Sequence, residues 1–214
     1  MLRRWTPTPI WEGLEVYLIG GGPSLKSFDW KLLQGLPVIG CNAAVYLGAG
    51  VCPYLIFGDA SFFSKHVSAL EQYAKEGGMV ITPSRAIRAQ KAPEWLHQVR
   101  KTLKGLSPMA VAWNSNTGAA AINLALLMGA QTVYLLGYDM KLDVDGNANF
   151  HNAYNQTIRP KVFQRFLRGM SNIAKALPAV FPGRSVINLT EDSALEVFPK
   201  KSLVEHFAER KVSV

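Results

Sequence analysis

Several short stretches of this 214-residue chain carry residue types that bind phosphate or move protons. Gly20-Gly21-Gly22-Pro23-Ser24 follows the apolar run Val16-Tyr17-Leu18-Ile19. Glycines at such a place let the backbone approach an anion closely; a tight left-handed turn is the plainer use of the same residues. Asn42 follows a second apolar run, and Asp59 follows a third, Tyr54-Leu55-Ile56-Phe57. Asn116-Thr117-Gly118 stands before a stretch of small residues, where backbone N–H groups at a helix start attract phosphate and where Asn116 or Thr117 could equally be an N-cap. Asp59 has the same two readings. Gly137-Tyr138-Asp139 closes the run Thr132-Val133-Tyr134-Leu135-Leu136, and the polar loop after it holds His151. An imidazole titrates near pH 6.5 and can take a proton from a hydroxyl at neutral pH. Each feature has a bland explanation alone. Their recurrence at the ends of apolar runs is the signal.

Those runs must be strands for the pattern to mean anything. Short apolar runs bounded by glycine or asparagine read as buried strands at Val16–Ile19, Val38–Cys41, 54–57, 79–81, Thr132–Leu136 and 186–189. Helical spacing falls between them, over 25–33, 43–47, 61–75, 119–128, 160–177 and 201–210. Pro23 sits near the start of the first. Residues 83–113 are basic and proline-containing and read as helical pieces and loops; 141–157 reads as a polar loop; 1–13 reads as a loosely ordered arm with Trp5 and Trp11 as anchors. Strands alternating with helices predict a Rossmann-like, doubly wound α/β domain with a mostly parallel sheet, spanning 1–214 as one unit. Ligands of such sheets bind at the carboxyl ends of the strands, where Gly20 to Ser24, Asn42, Asp59, Gly137 and Asp139 fall.

Composition narrows the classes. The chain is 49% hydrophobic and 18% charged, which excludes disorder as a class. Its net charge of +8 suits an anionic ligand or a solvated basic surface. Basic residues occur in pairs only (Arg3-Arg4, Lys200-Lys201, Arg210-Lys211), and no nucleic-acid-binding motif is present, so nucleic acid is not the expected partner. The turn at 20–24 lacks the third glycine of a dinucleotide fingerprint, and no GxxxxGK[ST] exists. Cys41 and Cys52 match no zinc spacing and read as buried thiols of a reducing compartment, with no metal site expected from them. The longest apolar stretch, 118–136, is interrupted by Asn123, Gly129 and Gln131, so no integral membrane contact and a cytoplasmic location are expected. His66, His97 and His206 read as structural. The oligomeric state is not legible.

Gly-Pro-Ser-Leu-Lys with Asp29 beyond it, Cys41-Asn42, and Asn116-Thr117-Gly118 leading to Val133-Tyr134-Leu135-Leu136-Gly137-Tyr138-Asp139 together resemble the bacterial sialyltransferases of the Cst type. The wider group includes the motility accessory factor glycosyltransferases and the archaeal-type 6-hydroxymethyl-dihydropterin diphosphokinases. The stretch from Ile187 to Leu195 is similar to the same group. The resemblance implies that Gly21, Gly22, Ser24, Asn42, Asp59, Asn116, Thr117 and Gly118 hold a cytidine nucleotide and its sugar. It implies that His151 is the general base on an acceptor hydroxyl. Lys141 stands where the group has a tyrosine that helps the leaving phosphate. The function so implied is transfer from a nucleotide-activated sugar of the CMP-nonulosonic acid type, with Mg²⁺ possible but not required. Two alternatives stand beside it: a Mg²⁺-dependent diphosphokinase acting on a small alcohol such as a hydroxymethylpterin, with Asp59 and Asp139 holding the metal, and a non-catalytic nucleotide-binding module. On this reading Gly22→Val removes nucleotide binding and leaves the protein folded.

Overall fold

Strands of three to five residues, buried on both faces, form wherever an apolar run stops at a small or polar residue. A computed structural model describes residues 3–87, 92–154 and 160–212. The strands are β1 (Arg3–Arg4), β2 (Glu15–Ile19), β3 (Val38–Cys41), β4 (Tyr54–Ile56), β5 (Met79–Thr82), β6 (Leu96–Gln98), β7 (Lys101–Thr102), β8 (Val111–Ala112), β9 (Thr132–Leu136) and β10 (Ser185–Asn188). Eight of them form one sheet in the order β1-β6-β5-β4-β3-β2-β9-β10, with every pairing parallel. β7 and β8 form a small parallel pair of their own. The helices are α1 (Ala60–Lys75), α2 (Thr117–Leu127), α3 (Pro160–Val180) and α4 (Leu203–Val212).

The order of strands fixes where a ligand can go. From β2 the chain winds outward through β3, β4, β5 and β6, then returns to place β9 on the other side of β2. The direction of winding reverses between β2 and β9, and the connections leave a crevice at that point on the carboxyl edge. The turn at 20–24 and the segment 137–139 both emerge there.

Alternation along each strand divides the core in two, because successive side chains point to opposite faces. Val16 and Leu18 join Ile39, Val133 and Leu135 beneath α2 and α3. Tyr17 and Ile19 join Leu55, Val80, Tyr134 and Leu136 on the face covered by α1 and α4. Helices on both faces make the expected doubly wound α/β arrangement. Asn123, fully buried on α2, interrupts its apolar stretch for a local reason: its Oδ1 accepts from Ser107 N (3.1 Å) and Ala112 N (3.0 Å), and its Nδ2 donates to the Ser107 carbonyl (3.0 Å). These three bonds fasten the β7–β8 segment to α2. No helix among the described residues is long and apolar enough to cross a membrane.

Three expectations change. The segment 25–33 is two 3₁₀ turns, Pro23–Leu25 and Trp30–Leu33, because Asp29 turns its carboxylate onto Lys31 N (3.1 Å) and interrupts a continuous helix. Within 83–113 the described residues form β6, β7 and β8 and no helix; the rest, 88–91, lies outside them. In 1–13, Arg3–Arg4 pairs with β6 at the sheet edge, Trp11 is buried, and Trp5 packs against the same core. The end of the polar loop, 155–157, lies outside the described residues.

α4 closes the second core through a buried histidine. His206 is 3% exposed, with Nε2 2.8 Å from Tyr17 Oη and its ring against Tyr134 and Phe207. Burial lowers its pKa, and the Lys201 and Arg210 charges act in the same direction, against Glu15 and Glu209. A histidine kept neutral in the folded state stabilises fully above its unfolded pKa of about 6.5 and less as pH falls below that value. The urea midpoint is therefore expected to drop between pH 7 and pH 5, with a shallower drop in His206→Gln. An equal slope in the variant would mean that His206 does not contribute.

Candidate functional site

Asp139 organises the crevice. It is 5% exposed at the end of β9, and both carboxylate oxygens accept from Ser24: Oδ1 from the backbone N–H (3.0 Å) and Oδ2 from Oγ–H (2.8 Å). Burial raises its carboxyl pKa above the ordinary value, and the two Ser24 bonds oppose that rise. The glycine turn is thus tied across the point where the sheet reverses. Gly22 N also donates to the Gly137 carbonyl (2.8 Å).

The three glycines do different jobs. A Cβ on Gly22 would lie 1.8 Å from Asp139 Oδ2, and one on Gly20 would lie 2.5 Å from the Gly137 carbonyl oxygen. Both are glycine because β9 needs the space. Gly21 faces outward, and a Cβ there would meet Asn149 Oδ1 at 3.0 Å and His151 Nε2 at 3.8 Å. The expectation that Gly22→Val leaves a folded protein is corrected accordingly: at position 22 any side chain strikes the Asp139 clamp before it reaches a ligand.

Above the turn lies a cavity of about 860 Å³, the size range of small-molecule sites. It brings together Gly20, Gly21, Gly22, Asn42, Asp59, Asn116, Thr117, Gly118, Gly137, Asp139 and His151 from the expected set. Three residues of that set fall elsewhere. Pro23, Ser24 and Lys141 line a separate depression beyond Asp139, and Lys141 Nζ pairs with Asp192 Oδ1 at 2.5 Å. Lys141 is therefore not placed to meet a leaving phosphate in the cavity.

The polar side chains of the wall have separable roles. Asn116 Oδ1 caps α2 by accepting from Gly118 N (2.8 Å) and Ala119 N (3.4 Å), so those helix-start donors are occupied. Its Nδ2 is buried without a protein partner, as is Asn42 Oδ1. Two residues of the same cavity thus hold one unpartnered donor and one unpartnered acceptor, and buried polar atoms of this kind call for a partner. Asp59 precedes α1 without a capping bond from its side chain, leaving its exposed carboxylate uncommitted to that helix. Gly118 is small because Tyr138 packs on it; a Cβ would lie 2.7 Å from the ring. Asn42, Ser115 and Met140, all in the wall, have φ of 51°, 54° and 54°. Non-glycine residues in the left-handed region are uncommon and gather at ligand sites.

His151 reaches the cavity because its loop docks on the glycine turn. Phe150 N donates to the Gly21 carbonyl (3.0 Å), Lys26 pairs with Asp143 (2.7 Å), and Phe150 packs on Trp30. The His151 ring is half-buried, and Ala153 N donates to its Nδ1 at 3.2 Å. Burial lowers its pKa, against a backbone hydrogen bond that acts in the opposite direction, and the neighbouring His66 adds to the lowering.

The sequence reading missed much of the wall. His66, assigned a structural role there, lines the cavity, with Nδ1 2.8 Å from Tyr46 Oη. Trp113 lies over Gly58 and carries Lys101 4.8 Å from its ring. Lys65 and Arg165, both exposed, and the rings of Phe62, Tyr154, Phe163 and Phe166 complete the wall. The basic character of 83–113, which holds Lys101, was the one signal in the sequence analysis that pointed toward any of these.

An all-parallel open sheet with a polar cavity at its reversal point defines the class as a Rossmann-like α/β protein. No protein-family model matches the chain, and no curated sequence does. Solved structures do. The sialyltransferase CstII from Campylobacter jejuni, in complex with cytidine-5'-monophosphate, superposes with a TM-score of 0.52 at 16% identity, over 88% of this chain and 85% of that one. An α-2,3-sialyltransferase from the same organism gives 0.51 at 15% identity, over 94% and 84%. The MAf glycosyltransferase from Magnetospirillum magneticum AMB-1 gives 0.57 at 11% identity, over 99% of this chain but 39% of that protein. The chain is therefore similar in fold to sialyltransferases and a glycosyltransferase.

Gly22→Ala is expected to lower unfolding stability by about 1–3 kcal/mol, the usual cost of overpacking. Gly21→Ala, whose Cβ would meet only the end of the Asn149 side chain at 3.0 Å and needs that side chain to shift, is expected to stay within about 1 kcal/mol of the parent, within the ordinary range for single substitutions. Urea denaturation of both variants checks this; equal losses would remove the distinction between a turn glycine and a ligand-facing one.

Proposed function

We propose that the chain binds a cytidine nucleotide carrying an acidic sugar of the nonulosonic type and transfers that sugar to a hydroxyl acceptor. The observation that carries this reading is the pair of buried, unpartnered amide atoms, Asn42 Oδ1 and Asn116 Nδ2, on two residues that line one cavity together with the half-buried Gly21. A free acceptor and a free donor suit a nucleoside, and the lack of a side chain at Gly21 suits close approach of its phosphate. The CMP complex of a sialyltransferase with the same fold supports the choice of nucleotide. Lys65 and Arg165 at the mouth suit a carboxylate on the sugar or acceptor.

In such a transfer the acceptor oxygen forms a bond to the anomeric carbon as the bond from that carbon to the phosphate oxygen breaks. CMP leaves with the bonding electrons, and the acceptor hydroxyl gives its proton to an imidazole of the cavity. Asp139 and Ser24 act one step back, holding the turn. Mg²⁺-dependent diphosphate transfer draws less support, since Asp139 has both oxygens engaged by Ser24 and is not free to share a metal with Asp59.

Calorimetric titration without added metal is expected to give CMP binding, weakened about tenfold in Asn42→Gly, as for loss of one hydrogen bond of roughly 1–1.5 kcal/mol. Glycine is the chosen replacement because φ at 42 is 51°. Unchanged affinity in the variant, or Mg²⁺-dependent ATP binding with none to CMP, would contradict the reading.

A further inference from the structure

The cavity holds two imidazoles, and their hydrogen bonds differ in a way that separates their chemistry. His151 Nδ1 faces the backbone N–H of Ala153 at 3.2 Å. A backbone N–H can only donate, so Nδ1 must accept, and a neutral His151 carries its proton on Nε2. Nε2 is the atom beside the glycine turn, 3.8 Å from where a Gly21 Cβ would be. It faces the phosphate position as a donor and has no lone pair with which to take a proton.

His66 is held by a partner that can work either way. Its Nδ1 lies 2.8 Å from Tyr46 Oη, and a phenol can accept as well as donate. Tyr46 is 55% exposed, so its own proton can go to water while its oxygen accepts from His66 Nδ1–H. That arrangement leaves Nε2 of His66 unprotonated, and no hydrogen bond among the described residues uses that atom. φ −122° and ψ 18° at His66 break the helical path inside α1. The Phe62 ring, 4.4 Å away, and the Tyr154 ring, 6.2 Å away, flank the imidazole.

We infer that His66, oriented by Tyr46, is the base that takes the acceptor's proton on Nε2, and that His151 instead donates its Nε2–H to the departing phosphate. The inference rests on the glycosyl-transfer reading for the reaction but not for the tautomers. His66 becomes the imidazolium as the acceptor oxygen bonds to the anomeric carbon, and the electron pair of the broken bond stays on CMP, hydrogen-bonded by His151. The titratable groups around His66 are Lys65 beside it, Asp59 at the start of α1, Tyr46, Tyr154 and His151. Burial and the Lys65 charge keep its pKa low, so it is neutral and ready at pH 7.

Two-bond proton–nitrogen NMR of the protein without ligand reads the tautomers directly. The expected spectrum shows Nδ1–H with bare Nε2 at His66 and Nε2–H at His151; Tyr46→Phe is expected to lose the His66 preference. The reverse assignment overturns the inference whatever the protein turns over. Hydrolysis of CMP-sialic acid, with water as acceptor, supplies the kinetic arm. His66→Asn is expected to lose at least 100-fold in kcat and the acid limb of the pH profile. His151→Asn is expected to keep that limb with a lower rate, and Tyr46→Phe to move it. An acid limb that disappears in His151→Asn and persists in His66→Asn overturns the assignment. Expected tautomers with no turnover of CMP-sialic acid by the parent protein would count against the glycosyl-transfer reading, not against the tautomers.

Discussion

The Asp139 carboxylate clamps the turn after β2 to the segment after β9, and the remainder of the site is arranged around that clamp. Two hydrogen bonds from Ser24 engage both its oxygens in a place that is 5% exposed. A buried carboxylate is tolerable only when its charge is met by donors. Ser24 supplies them only if Gly22 carries no side chain. The clamp therefore explains Gly22, Ser24 and Asp139 together, and it fixes the crevice at the reversal point of the sheet.

What stands above the clamp depends on it in turn. The loop carrying Asn149 and His151 is docked through the Gly21 carbonyl and the Lys26–Asp143 pair, both extensions of the same turn. The opposite wall comes from the starts of α1 and α2, brought to the edge by β4 and by the β7–β8 segment that Asn123 fastens. Nucleotide-sized space appears between a rigid turn and helix starts. The strained backbones at Asn42, Ser115 and Met140 are held where those parts meet.

The fold was legible because short apolar runs and the small or polar residues that end them are local signals. β2, β3, β4, β9 and α1 to α3 all lie close to their expected places. β6 to β8 were missed because they are two or three residues long and their stability comes from pairing and from Asn123, neither of which is a local property. The cavity's strand-end residues were legible for the same reason as the strands. Their division of labour was not. Ser24 and Asp139 each look like ligand contacts in sequence, yet they satisfy one another 115 positions apart. Lys141 sits two residues beyond Asp139, and its partner, Asp192, turns it away from the cavity. His66 looked structural because it lies within a helix; its Tyr46 contact and the break in α1 are tertiary facts.

On the proposed reading a cytidine nucleotide occupies the cavity above Gly21. Backbone amide NMR with stepwise addition of CMP, read residue by residue, tests it most directly, because the cavity and the depression beyond Asp139 are lined by different amides. The account requires saturable shifts at Gly21, Asn42, Asn116 and His151, with Leu142, Asp192 and Leu203 unmoved. Shifts confined to the latter group, or none at millimolar CMP, would contradict it.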